Sequence, residues 1–95
     1  MNSSERTFER LAGKLKAMAH PGRLRLLAEL SASPCCVGEI QRCVNLSQPH
    51  VSQSLKVLKT AGIVAGRRQG TRICYRIVDP VAESILKKLI SKESN

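Results

Sequence analysis

The chain has 95 residues, room for one domain, and a domain this short leaves a large share of its surface unburied when it folds alone. Its formal net charge of +9 draws it toward polyanions and argues against a small neutral substrate. Phe8 and Tyr75 are the only aromatic residues, so the core has to be made of Leu, Ile, Val and Ala, which suits helices packed on helices.

No apolar run approaches the roughly 18 residues of a membrane span, and the basic residues are not gathered on one amphipathic face. Met1 to Arg10 is polar and lacks the apolar stretch of a secretion signal. These features point to a cytoplasmic protein with no membrane partner. In that compartment four cysteines are expected as thiols, ligands or redox groups rather than as a structural disulfide framework. There is no Cys-x-x-Cys, which excludes a zinc ribbon.

In chain order, Phe8, Leu11, Leu15 and Met18 fall at helical spacing and predict a one-sided helix from Glu5 to Ala19. His20-Pro21-Gly22 ends it. A second helix, from Pro21 to about Ala32, carries Leu24, Leu26, Leu27, Ala28 and Leu30 around most of its circumference and is expected at the buried centre. After the Ser33-Pro34 break, a short helix from about Cys36 to Val44 turns Val37, Ile40 and Val44 inward. Asn45-Leu46 makes a turn, and Ser47 is placed to cap a helix from Gln48 to about Ala61, which Gly62 stops. The pattern then alternates: Ile63 to Arg68, a tip at Gln69-Gly70, and Thr71 to Val78 predict a hairpin. Pro80 opens a last helix to about Lys92, whose stripe of Val81, Ala82, Ile85, Leu86, Leu89 and Ile90 is too wide to leave in water. The sum is a mainly α domain over residues 1–95 with five helices and a two-stranded wing, fraying at residues 1–4 and 93–95.

A short helix, a turn, a longer helix and then a basic hairpin is the layout of a winged helix-turn-helix. On the helix from Gln48, Val51, Leu55 and Leu58 fall on one side and Gln53, Lys56 and Thr60 on the other. With Ser47, Gln48 and His50 near its start, the outer face offers hydrogen-bonding groups to base edges of a major groove. Ser47 and Ser52 suit phosphate equally well. Taken alone, such a face reads as ordinary solvated surface. The hairpin tip RRQGTR shifts the balance, because Arg67, Arg68 and Arg72 around a glycine turn fit a minor groove or its flanking phosphates.

The segments HPGRLRLLAEL, VGEI and LSQPHVSQSLKVLKTAGIVAGRRQGTRICYRI together resemble the ArsR/SmtB family of metal- and metalloid-responsive repressors, over about Leu11 to Leu89. The resemblance implies a homodimer joined through the first and last helices, which represses a palindromic duplex operator until an effector binds. The apolar stripes of those two helices ask for such an interface on their own account.

Zinc-responsive members use Asp and His on the last helix; here only Asp79 matches, the other positions reading Val81, Lys92 and Asn95. Arsenic- and cadmium-type members carry Cys-Val-Cys at the third helix, and the matching residues are Cys36, Val37 and Gly38. Cys35 is the expected substitute for the missing thiolate. Cys36 and Cys43 lie about 10.5 Å apart along a regular helix, too far to chelate one ion. A helix start favours thiolate, so Cys35 and Cys36 are the expected reactive pair. Cys43, as a small buried hydrophobe or a third sulfur, completes the tentative effector set. Cys74 reads as a partly exposed strand residue, although a third sulfur from it, or from outside the chain, stays open.

The expected mechanism is release from DNA when trivalent arsenic or antimony, another soft metal, a persulfide or an oxidant acts on these thiols and tilts the reading helix. No cofactor is required for folding. The competing readings are a constitutive DNA-binding protein with idle cysteines and a winged module for RNA or protein. An enzyme is the weakest class, since His20 and His50 are isolated and no catalytic constellation is visible.

Overall fold

The computed structural model describes residues 3–93, whose elements run α1 (Ser3–Met18), α2 (Pro21–Ala32), β1 (Cys35–Cys36), α3 (Val37–Val44), α4 (Gln48–Thr60), β2 (Val64–Gln69), β3 (Arg72–Ile77) and α5 (Pro80–Glu93). The expected five helices and hairpin are present. α1 begins at Ser3 and α5 runs to Glu93. Residues 1, 2, 94 and 95, and the side chains of residues 3 and 90–93, Ile90 and Lys92 among them, lie outside what is described.

α2 occupies the centre. Leu26, Leu27 and Leu30 are buried there against Ile40 and Val44 of α3, Val51, Leu55 and Leu58 of α4, Ile63 and Val64 at the wing base, and Ala82 and Leu86 of α5. Burial of large aliphatic side chains at about 25 cal/mol per Å² is the main force available to a chain with so few aromatics. Several helix ends have a local cause. His20 precedes α2 in extended backbone and its Nδ1 accepts from the Gly22 N–H at 3.1 Å, which gives this histidine a capping task. Asn45 ends α3 in the left-handed region at φ 54°, and Gly62 ends α4 at φ 78°, where a Cβ would be strained.

α5 is started by Asp79. Its Oδ2 accepts from the Ala82 N–H at 2.9 Å, and its other oxygen takes an ion pair from Lys14 of α1. Burial pushes this carboxyl up, but the Lys14 hydrogen bond, the Ala82 N–H, the Lys14 charge and the Val81 N–H outweigh it, so the net shift is downward. A carboxyl lowered in the folded state stabilises above its unfolded value, near 3.9, and that contribution is lost as pH falls through the lower folded value. The thermal midpoint of Asp79→Ala is therefore expected below the parent's above pH ~5, by a loss of roughly 1–2 kcal/mol for a cap. The gap should close on acidification below pH ~4, and calorimetry across pH checks it.

The sheet holds one strand more than the sequence reading expected. β2 and β3 form the hairpin with Gln69 opposite Arg72, and Gly70 turns at φ 66°. β1 then adds antiparallel to the other edge of β3, giving the order β1-β3-β2 with Cys35 opposite Tyr75 and Cys36 opposite Cys74. Gly66 lies opposite Tyr75, and a Cβ there would stand 2.9 Å from the Tyr75 ring and 3.1 Å from Ile73 Cγ2. The ring thus covers bare backbone and stiffens the wing above its root.

Candidate nucleic-acid interface

Ser47 sits in extended backbone before α4, and its Oγ accepts from the His50 N–H at 3.4 Å while lying 3.3 Å from His50 Nδ1. The expected cap is in place, and it fixes Ser47 and His50 to each other at the helix start. Along α4, Val51, Leu55 and Leu58 are buried, whereas Gln48, His50, Ser52, Gln53, Lys56 and Thr60 are exposed. The rotation of the helix is the one its spacing predicts. Ser54, which the spacing left unassigned, is buried with the inner set.

The wing arginines Arg67, Arg68 and Arg72 are all exposed near the tip. Two grooves flank α4 and take in Gln48, Ser52, Gln53, Lys56 and Arg72, while Ser47, His50, Arg67 and Arg68 line neither. One, of about 530 Å³, is walled by Gln48 and Ser52 of α4, Thr71 and Arg72 of the wing, and Cys36, Glu39 and Arg42. It brings the start of the reading helix and the wing onto one surface. The other, of about 690 Å³, lies between α4 and α1, with Gln53, Lys56 and Thr60 facing Arg10 and Lys14. Thr71 and Arg42 were not singled out by sequence. Thr71 belongs to the same glycine turn as the arginines, and that turn was the available signal.

The cysteines are arranged differently from expectation. Cys35 and Cys36 lie in β1 rather than in a helix, and successive strand residues face opposite ways, so they do not form a chelating pair. Cys36 is buried and joined by a disulfide to Cys74, with the two Cα atoms 3.9 Å apart. Cys74 is therefore a partner and not an isolated strand residue. Cys35, half-buried, has its thiol pushed up by burial and then by the charges of Glu39, Cys43 and Glu29, the reverse of the expected activation. The helix-end charge that would lower it acts one residue later, at Cys36, the cap of α3. Cys43 is exposed, not buried, because Val37, Ile40 and Val44 turn the other flank of α3 inward.

Among the described residues no three His, Cys, Asp or Glu side chains gather as a metal-binding group. Asp79, the one residue shared with zinc-responsive relatives, is taken by Lys14 and the Ala82 N–H. No described helix is long and apolar enough to cross a membrane.

Several relatives share this architecture. The sequence pattern of the bacterial regulatory protein, arsR family, matches residues 20–65. The HTH-type transcriptional repressor SmtB of Mycobacterium tuberculosis is 43% identical over 68% of this chain, an alignment that spans 48% of SmtB. The chain thus matches only about half the length of that relative. The biofilm growth-associated repressor of Agrobacterium fabrum is 38% identical over 90% of this chain and 73% of its own. The solution structure of the homodimeric winged helix-turn-helix DNA-binding domain of Mb0332 from Mycobacterium bovis superposes with a TM-score of 0.84. It is 26% identical and covers 99% of this chain and 89% of that one. The chain has the winged helix-turn-helix fold and belongs to the ArsR family of bacterial regulatory proteins.

Proposed function

We propose that the protein is a cytoplasmic, homodimeric repressor that binds a palindromic duplex operator, with α4 in the major groove and the β2–β3 tip against the flanking backbone. The observation that carries this reading is the shared groove in which Gln48 and Ser52 of α4 meet Thr71 and Arg72 of the wing. A base-reading helix and a phosphate-gripping finger on one surface are what such docking uses. Gln53 and Lys56 extend the face on the other side of α4, and Ser47 and His50 sit at its entry. Supporting the dimer, Phe8, Leu11 and Leu15 of α1 and Val81 and Leu89 of α5 are large apolar side chains left exposed in the single chain.

The effector in this reading is a thiophile of the arsenite class, acting on Cys36 and Cys74 after their reduction. The two sulfurs face each other, while Cys35 and Cys43 are free of that bond. A three-sulfur centre is not assembled among the described residues, so these two thiols are the part of the effector site that this chain contributes.

The test is a gel-shift titration on the duplex upstream of the protein's own coding sequence, followed by binding to sequences selected from a random pool. Gln53→Ala is expected to relax preference at one base position by about 1–3 kcal/mol while leaving non-specific binding alone. An unchanged preference removes Gln53 from the reading set. Arsenite under reducing conditions is expected to weaken the complex of the parent but not of Cys36→Ser.

A further inference from the structure

β1 contains only two residues, and a ladder that short holds weakly by hydrogen bonds alone. Yet it joins two parts that have to act together. At one end Cys36 is the cap of α3, the first helix of the DNA-binding pair, and its side chain makes no capping hydrogen bond. At the other, Cys74 stands directly opposite Arg67 of β2 and two positions from Arg72. The Cys36–Cys74 bond therefore links the helix pair to β3, which carries Arg72 and pairs with the strand that carries Arg67 and Arg68. It lies at a groove whose walls include Gln48, Ser52 and Arg72.

Of the two sulfurs, Cys74 belongs to the less buried residue, which gives a small reagent its point of entry. The tie spans 38 residues of sequence and closes a loop containing α3, α4 and β2, that is, nearly the whole reading head.

We propose that Cys36 and Cys74 form a reversible thiol–disulfide site that locks the wing to the reading helices, the oxidised form gripping duplex DNA more tightly than the reduced form. The inference rests on the DNA-binding reading above and adds its regulation. In the forward step the Cys74 thiolate attacks a low-molecular-weight disulfide of the glutathione type, forming a mixed disulfide and expelling one thiolate. The Cys36 thiolate then attacks the Cys74 sulfur, forms the internal bond and expels the second thiolate. Two cysteine thiols are oxidised, one external disulfide is reduced to two thiols, and the two protons pass to the leaving thiolates. Excess external thiol reverses both steps.

The sign follows from pre-organisation. With the bond closed, Arg67 and Arg72 are held in place relative to α4 before DNA arrives, so less conformational freedom is lost on binding. With it open, the wing is held by the packing of its root, Ile63 and Val64, and by a two-residue ladder, so the part of the hairpin beyond Cys74 gains freedom. The sequence reading expected oxidation to release DNA; the placement of the bond reverses that sign.

The experiment uses the full chain in a Cys43→Ser background, which prevents crosslinks through the exposed thiol. Protein is equilibrated with oxidised glutathione or with a phosphine reductant, and its state is verified by intact mass and thiol counting. Affinity for the upstream duplex is then measured by fluorescence anisotropy at low salt. Oxidised protein is expected to be lighter by two hydrogens, to show the Cys36–Cys74 peptide on digestion, and to bind about 5- to 150-fold more tightly. Cys36→Ser and Cys74→Ser should each bind alike in both conditions, whereas Cys35→Ser should keep the difference. Equal or weaker binding by verified oxidised protein overturns the lock and leaves the DNA-binding reading intact, as does failure of the bond to form in folded protein. If neither form binds duplex, the DNA-binding reading falls and the lock falls with it.

Discussion

A chain carrying Phe8→Glu and Leu15→Glu is expected to be a folded monomer that has lost operator binding. Both residues are exposed in the single chain, at 69% and 43%, and neither belongs to the buried core around Leu26, Leu27 and Ile40. The helical circular dichroism signal and a cooperative melt should therefore survive. Leu11 lies between them on the same face of α1, and α5 adds Val81 and Leu89, at 46% and 50% exposed. Apolar residues grouped on two helices in this way mark an interface and not a solvated surface. Operator binding is expected to suffer most because two reading heads on one dimer bind as a linked pair. Separating them removes an effective concentration advantage of about 10²- to 10⁴-fold. Light scattering reports the mass and anisotropy the affinity. A dimer that persists with both glutamates present would place the interface elsewhere.

The second large effect is expected at the wing. Replacing Arg67, Arg68 and Arg72 together by alanine should weaken binding to every duplex, specific and random alike, and flatten the dependence of affinity on salt. For every phosphate that an arginine no longer neutralises, the slope of log affinity against log salt is expected to fall by about 0.9. All three arginines are exposed and belong to a hairpin whose root, Ile63 and Val64, stays buried, so the triple change leaves the fold intact. Comparison with Gln53→Ala separates backbone gripping from base reading, since that change should alter preference between sequences and leave the salt slope alone. A triple variant with the parent's slope would mean that the finger does not touch the backbone.

The helices and the exposed face of α4 were legible in the sequence because their signals are local. Three- and four-residue spacing sets which side of α4 is buried, and a hydroxyl one residue before a helix is a sufficient cue for its cap at Ser47. The alternation from Ile63 to Val78 likewise contains the hairpin, although its turn falls at Gly70-Thr71, one residue after the expected Gln69-Gly70 tip, so the register differs. β1 was not legible. A two-residue strand has no period, and Ser33-Pro34-Cys35-Cys36 reads equally as a loop entering a helix. Its partner lies 38 residues away, so the pairing of Cys36 with Cys74 is a tertiary fact with no local trace.

The misplacement of the reactive thiol follows from the same cause. Had Cys35 opened a helix, the positive end charge would have favoured its thiolate. In a strand beside Glu39 and Glu29, and half-buried, it is driven the other way. Cys43 failed for a different reason: a helix of eight residues buries only a narrow stripe, and Ile40 and Val44 already fill it. Lys14 shows the remaining kind of blind spot. Its pairing with Asp79 joins the first and last helices and occupies the one acidic group that a zinc site on α5 would have needed.

The central claim, that two basic reading heads on a twofold dimer grip duplex DNA, is tested most directly by titrating the protein into the duplex from its own upstream region across a series of salt concentrations. The account predicts saturation at two chains per site and an affinity that falls steeply as salt rises. Saturation by one chain, or indifference to duplex DNA even at low ionic strength, would contradict it.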